Sequence, residues 1–246
     1  MIYSYCNLSF VLFLFKFNYI ICIHGSFLNW YNINIILYFG VIVMKIYLTR
    51  HGETIWNTEG KMQGWKNSNL TSKGIRNAEK LGEHLSNIDF DYIYCSPLGR
   101  AKETAEHILK DRNLNVIYDN NLKEMNFGIW EGVSNSEVDL LYAEQKFNFW
   151  NQPHLYETIE GESFELLLLR VSQWFEKMKK AHINDTILVV THTCVIKSLY
   201  SILKNLPLEE FWAPPFIYDT SLTILEVTET SFKFIVESDI SHLSEL

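Results

Sequence analysis

The sequence predicts an α/β fold, a three-layer αβα sandwich in which a mostly parallel sheet is flanked by helices. Three observations predict it. Short apolar runs such as "KIYLT" and "TILVVT" read as buried strands. They alternate with longer stretches whose apolar residues recur at helical spacing. No internal repeat, low-complexity linker or composition break divides the chain after Met44. Residues 44–246 are therefore expected to form one domain.

Each element follows in order from Met44. "KIYLT" is the first strand. "LTSKGIRNAEKLGEHLSNI" is a helix with Thr71 or Ser72 as its N-cap and Ile75, Ala78, Leu81 and Leu85 on its apolar face. "FDYIYCS" is a second strand, and "PLGRAKETAEHILK" a second helix with Pro97 near its first turn. "NVIYD" is a third strand. From Glu124 to about Asn184 the chain is rich in aromatics and mostly helical, with "SFELLLLRVSQWFEKMKKA" as its clearest helix. "TILVVT" is a strongly apolar strand followed by the helix "CVIKSLYSIL". The end, "TSLTILEVTE" and "SFKFIVES", reads as a β-hairpin.

Residues 1–43 do not resemble the rest. They contain one charged side chain, Lys16, while all 29 acidic residues lie after Met44. The apolar run from Leu8 to Ile23 is interrupted by Lys16 and Asn18, and falls short of the roughly 20 apolar residues a spanning helix needs. No basic n-region and small-residue cleavage site mark a signal peptide. A membrane anchor, a degenerate signal and upstream sequence translated in frame compete; the third is favoured. The expectation is a native protein that begins at Met44, with residues 1–43 outside the fold. A peptide from residues 1–43 recovered by mass spectrometry from the native host would oppose it.

Composition bounds the partners. The chain of 246 residues is 48% hydrophobic and 20% charged, with a net charge of −8. An acidic chain lacks the Lys and Arg surplus that binding a phosphate backbone by bulk charge requires. No nucleic-acid partner is expected, and no membrane partner unless residues 1–43 are retained. Cys6, Cys22, Cys95 and Cys194 show no C-x-x-C pairing or zinc-like spacing, which fits reduced thiols and a cytoplasmic location. No triphosphate loop, dinucleotide fingerprint or two-metal carboxylate cluster is present. The chemistry is expected to use neither a metal nor a cofactor. The sequence leaves the oligomeric state open.

In open α/β sheets, ligands bind beyond the carboxyl ends of the strands. Arg50 and His51 follow the first strand, Arg100 lies just after the second, Glu124 after the third, and His192 after "TILVVT". Each alone fits a polar surface residue. Together they fit one chemistry. Two guanidiniums can hold a tetrahedral dianion, helped by helix N-termini after Pro97 and His192. A neutral imidazole can attack phosphorus, and a second, protonated one can stabilise the transferring group. A carboxylic acid can protonate the leaving alkoxide and then activate water. Gly52 would let the backbone approach the anion closely.

The blocks "LTRHGETIWN", "MQGWKNSNLTSKGIRNAEKLGEHL", "YCSPLGRAKETAEHI", "LKEMNFGIWEG" and "VVTHTCVIKSL" resemble, in order, the motifs of the histidine phosphatase superfamily, with its phosphoglycerate-mutase-like fold. The resemblance spans Met44 to Leu243. It implies that His51 is the phosphorylated nucleophile, that Arg50, Arg100 and His192 complete the phosphate pocket, and that Glu124 is the proton donor. It also implies substrate contacts from Thr54, Asn57, Gln63, Gly64 and Thr193. Thr193 departs from the family's usual glycine, and a positive φ there would strain it.

The mutases of this family usually carry a basic pair that grips the substrate carboxylate. "NFWNQPHLYETIEGESF" has no arginine pair. The C-terminal "FWAPPFIYDTSLTILEV" is most similar to the broad-specificity phosphatases of bacilli. Trp130, Trp150, Tyr156, Phe216 and Tyr218 would then shape an apolar leaving-group pocket, although each singly fits a core role equally well. The resemblance implies hydrolysis of small phosphorylated metabolites through a phosphohistidine. The alternatives are a phosphoglycerate mutase, an alpha-ribazole phosphate phosphatase and a non-catalytic phospho-ligand binding module.

Overall fold

The computed structural model describes residues 8–14, 19–25, 34–39 and 43–243. The chain divides into two compact units, Met1–Ile42 and Val43–Leu246. In the first unit, strands β1 (Leu8–Leu14), β2 (Tyr19–Gly25) and β3 (Asn34–Phe39) form an antiparallel sheet in that order. The described parts of residues 1–43, expected to lie outside the native fold, are thus strands. Among the described residues, no helix is long and apolar enough to cross a membrane.

The second unit holds a six-stranded sheet. Its strands are β4 (Met44–Arg50), β5 (Tyr92–Cys95), β6 (Val116–Tyr118), β7 (Thr186–Thr191), β8 (Leu222–Val227) and β9 (Phe232–Asp239), in the order β6-β5-β7-β4-β8-β9. The first four in that order are parallel; β8 and β9 add the antiparallel hairpin. This is the α/β fold the sequence predicts.

Strand β7 shows why the sheet is covered on both faces. Side chains alternate along a strand, and every residue from Ile187 to Val190 is buried. Ile187 and Val189 join the core under helices α6 (Phe164–Ala181) and α7 (Thr193–Lys204). Leu188 and Val190 join the core under α2 (Ser72–His84) and α3 (Gly99–Leu109). Helix α2 starts where Thr71 accepts a hydrogen bond from the Gly74 N–H, the N-cap role the sequence assigns to Thr71 or Ser72.

Two expected strands are shorter than their sequence runs. Phe90 lies outside β5, and packs edge-on against Tyr47 at 5.3 Å between ring centres. The middle region is helical, as expected: α4 (Asn135–Leu141) and α5 (Ala143–Asn151) meet at Tyr142, and one 3-10 turn lies between α5 and α6. A four-residue helix that the sequence reading lacked, α1 (Ile55–Thr58), follows the loop after β4.

Candidate active site

Four strand ends deliver the site. Arg50 closes β4 and His51 follows it. Arg100 sits in the first turn of α3, after β5. Glu124 follows the short turn beyond β6, and His192 caps α7 after β7. Arg50, His51, Arg100 and Glu124 line one cavity of about 500 Å³, and the His192 ring stands 5.1 Å from that of His51.

The ring of His51 is fixed at both nitrogens. Nδ1 lies 2.8 Å from the Gly52 carbonyl and must carry the proton, because a carbonyl only accepts. Nε2 then presents its lone pair, and accepts a hydrogen bond from Arg100 Nε at 3.1 Å. Burial, with Arg100 and Arg50 beside it, holds the His51 pKa well below the ordinary 6.5. The imidazole is neutral, and its lone pair is on the nitrogen that accepts from the guanidinium.

Arg100 is fully buried and spends all three nitrogens on orientation. Nη1 donates to the Lys66 carbonyl at 2.7 Å and Nη2 to the Gly64 carbonyl at 2.8 Å, besides the bond to His51. Burial lowers its pKa to about 10, so it stays charged at neutral pH. Arg50 donates through Nη1 to the Ile217 carbonyl at 3.1 Å, while its buried Nε has no partner among the described residues.

His192 Nε2 lies 2.7 Å from the Ser96 hydroxyl, which also accepts from the Leu98 N–H. Its Nδ1 is buried without a partner among the described residues. Burial, followed by the charges of Arg100, His51 and Arg50, holds its pKa well below 6.5. The expected imidazolium is therefore a neutral ring in this structure. If Ser96 donates to Nε2, the proton rests on Nδ1, and His192 still offers a hydrogen-bond donor.

Glu124 is anchored through one oxygen. Oε1 accepts from its neighbour's N–H, Met125, at 2.9 Å and from Cys194 N–H, in the first turn of α7, at 3.1 Å. A carboxylate suits a helix N-terminus, where backbone N–H groups are unpaired. The Glu124 main-chain carbonyl is held as well, by Trp65 Nε1 at 2.9 Å and Arg170 at 3.1 Å.

The remaining expected residues divide. Asn57, Gln63, Gly64 and Thr193 line the cavity; Gln63 Oε1 is buried with no partner among the described residues. Thr54 does not line it. Its hydroxyl caps α1 by accepting from Asn57 N–H, and Asn57 Oδ1 accepts in return from Thr54 N–H at 3.0 Å. Thr193 is the first helical residue of α7 and is not among the positive-φ residues, so the expected strain is absent. Gly52 packs closely against α2: a Cβ there would stand 2.8 Å from the Gly74 carbonyl oxygen.

Of the expected pocket aromatics, Trp150 and Phe216 line the cavity. Trp130 and Tyr156 are buried core residues, packed edge-on against Phe149, and Tyr218 stands outside the lining, edge-on to Phe216. Phe127, Phe149 and Trp212 take the places expected of them.

Sequence reasoning missed three supporting residues. Asn67 accepts from the Arg100 N–H at 2.7 Å, and Ser96 holds His192. Glu131 is a buried carboxylate that accepts from the N–H groups of Trp65, Lys66 and Phe127 at 2.7 to 3.1 Å. It folds the 63–66 loop whose carbonyls hold Arg100. Its signal was in the quoted "NFGIWEG" block, but nothing there tells a loop-organising acid from a surface one.

The chain matches the model of the histidine phosphatase superfamily, branch 1, over residues 46–239. It belongs to that superfamily. Phosphoserine phosphatase 1 of Hydrogenobacter thermophilus is 35% identical over 171 residues, 70% of this chain and 81% of that protein. The adenosylcobalamin/alpha-ribazole phosphatase of Escherichia coli K12 is 34% identical over 172 residues, 69% of this chain and 83% of that protein. The solved structure of YhfR from Bacillus stearothermophilus superposes with a TM-score of 0.80 at 40% identity, covering 82% of this chain and all of that one. The superfamily's fold, the phosphoglycerate-mutase-like α/β sandwich, is the fold described above. Among the described residues, no group of three or more His, Cys, Asp and Glu is placed to hold a metal ion.

Proposed function

We propose that the protein hydrolyses small phosphomonoesters through a phosphohistidine on His51, without a metal, and accepts a range of leaving groups. The observation that carries this reading is the His51 ring itself: it lines the cavity, its proton is tied to the Gly52 carbonyl, and the opposite nitrogen is unprotonated and accepts from Arg100.

In the first step the Nε2 lone pair attacks phosphorus and the bond to the leaving oxygen breaks. Protonated Glu124 gives its proton to that oxygen. Arg50, Arg100 and the α7 N-terminus hold the phosphoryl oxygens, with His192 as a further donor. In the second step water attacks phosphorus, the Glu124 carboxylate takes the water's proton, and the N–P bond breaks to return the lone pair to His51. Both steps balance with no other reagent.

The breadth of substrate rests on the cavity's outer wall. Phe127, Phe149, Trp150, Trp212 and Phe216 present apolar surface, which binds by area and discriminates weakly between shapes. We further read residues 44–246 as the catalytic unit. The test is turnover of p-nitrophenyl phosphate in the presence of a strong chelator. His51→Ala should abolish it, and labelled substrate should leave acid-labile phosphate on the protein only when His51 is present. Substantial activity in His51→Ala would sink the mechanism.

A further inference from the structure

Lys197 lies on α7, four residues after Thr193, in a helix whose neighbouring side chains Val195, Ile196, Ser198 and Leu199 are all buried. It is 4% exposed and lines the cavity. Four residues of helix rise by about 6 Å, and helical side chains lean toward the N-terminus. The ammonium is therefore on the same side of the helix as the end where the phosphoryl group is held, roughly one turn away.

Its partners leave it short. Nζ donates to the Ala213 carbonyl and, at 2.8 Å, to the Pro215 carbonyl. An ammonium has three N–H donors, so one remains. No carboxylate pairs with it among the described residues; the one charge that bears on it is another cation, Lys204. A buried cation without a counter-charge is costly, and proteins normally pair it. Burial accordingly lowers its pKa to about 8, which still leaves it mostly charged at neutral pH.

We propose that Lys197 is a specificity-determining residue, whose free N–H takes a carboxylate carried on the substrate's leaving group. A single remaining donor suits a singly charged group better than a second phosphate dianion, which would ask for a cluster of donors. The carbonyls of residues 213 and 215 aim the ammonium, and the ligand supplies the missing negative charge. This rests on the phosphomonoester reading of the site, but reads a part of the cavity that the chemistry does not use.

The test is binding rather than turnover, so that it stands or falls apart from the catalytic reading. In a His51→Ala background, calorimetry compares 3-phosphoglycerate with glycerol 3-phosphate, which differ by carboxylate against hydroxymethyl. The carboxylated ligand should bind about tenfold more tightly or better. Adding Lys197→Met should erase that preference, and Lys197→Arg should keep most of it, with both variants checked for folding by thermal melting. A preference that is absent, or that survives Lys197→Met, overturns the proposal, as does its loss in a folded Lys197→Arg. If the wild-type protein fails to hydrolyse phosphomonoesters while this pattern holds, the hydrolytic reading falls and the carboxylate site stands.

Discussion

Arg100 Nε lies 3.1 Å from His51 Nε2 and donates to it, so the guanidinium fixes the ring and adds to burial in keeping that nitrogen unprotonated. Lysine cannot reproduce this. Its donors radiate from a single nitrogen, whereas the planar guanidinium spreads its N–H groups to reach His51, Gly64 and Lys66 together. Arg100→Lys should lower kcat for p-nitrophenyl phosphate by about a hundredfold to a thousandfold. Steady-state kinetics on a variant with unchanged circular dichroism checks it; a loss under threefold would remove Arg100 from the reaction.

Stability should fall with acid. His51 and His192 are buried, and their folded pKa values are depressed. Unfolded, both titrate near 6.5. Below that pH the unfolded chain binds more protons than the folded one, so unfolding becomes easier as pH drops, whereas above it neither ring contributes a slope. The slope should approach about 1.4 kcal/mol per pH unit for each ring. Urea midpoints at pH 7.5, 6.5 and 5.5 test this. A midpoint that stays flat to pH 5.5 would contradict it.

Glu124 acts in both steps of the proposed reaction. Glu124→Gln should slow alkyl phosphates by about a hundredfold to ten-thousandfold, because an alkoxide needs its proton. Nitrophenolate leaves unaided, so p-nitrophenyl phosphate should give a burst followed by slow turnover as phosphoenzyme accumulates. Rapid-mixing absorbance reads this directly; normal turnover without a burst would exclude Glu124 as the base for water, and unslowed alkyl phosphates would exclude it as the acid.

Gly64 tests the loop beneath Arg100. Its φ is +53, and an added Cβ would stand 2.1 Å from Glu131 Oε1. Gly64→Ala should cost about 1–3 kcal/mol through the left-handed backbone and the clash. It should also lower kcat, since the Gly64 carbonyl holds Arg100. Thermal melting and p-nitrophenyl phosphate turnover are the measurements. An unchanged melting temperature would mean that the loop has room to move.

The placement of the candidate residues was legible because it depends on residue type at strand ends. Arg50, His51, Arg100, Glu124 and His192 could be placed on one edge once the strands were assigned. The supporting contacts were not, since they join residues far apart in sequence: Glu131 to Trp65, Ser96 to His192, Asn67 to Arg100. Aromatic roles were also opaque. Trp130 and Trp150 are the same residue type twenty positions apart, yet packing buries one in the core and sets the other on the cavity wall. Thr54 misled because a capping threonine and a ligand-binding one look alike beside a nucleophile. Lys197 did leave a trace: one cation inside "CVIKSLYSIL", a helix otherwise buried along that stretch.

The loop at Gly52 is clamped from three sides: its N–H donates to Thr104 Oγ1 at 2.9 Å, its carbonyl accepts from His51, and its Cα rests against Gly74. Such a loop has no slack with which to reshape itself around each ligand. Under the proposed hydrolysis, the reaction centre would then keep one geometry from substrate to substrate, and adaptation would fall to the aromatic wall and residues 213–217. Transfer of phosphorus and choice of alcohol are mechanically decoupled, so selection or design could retune the second without disturbing the first.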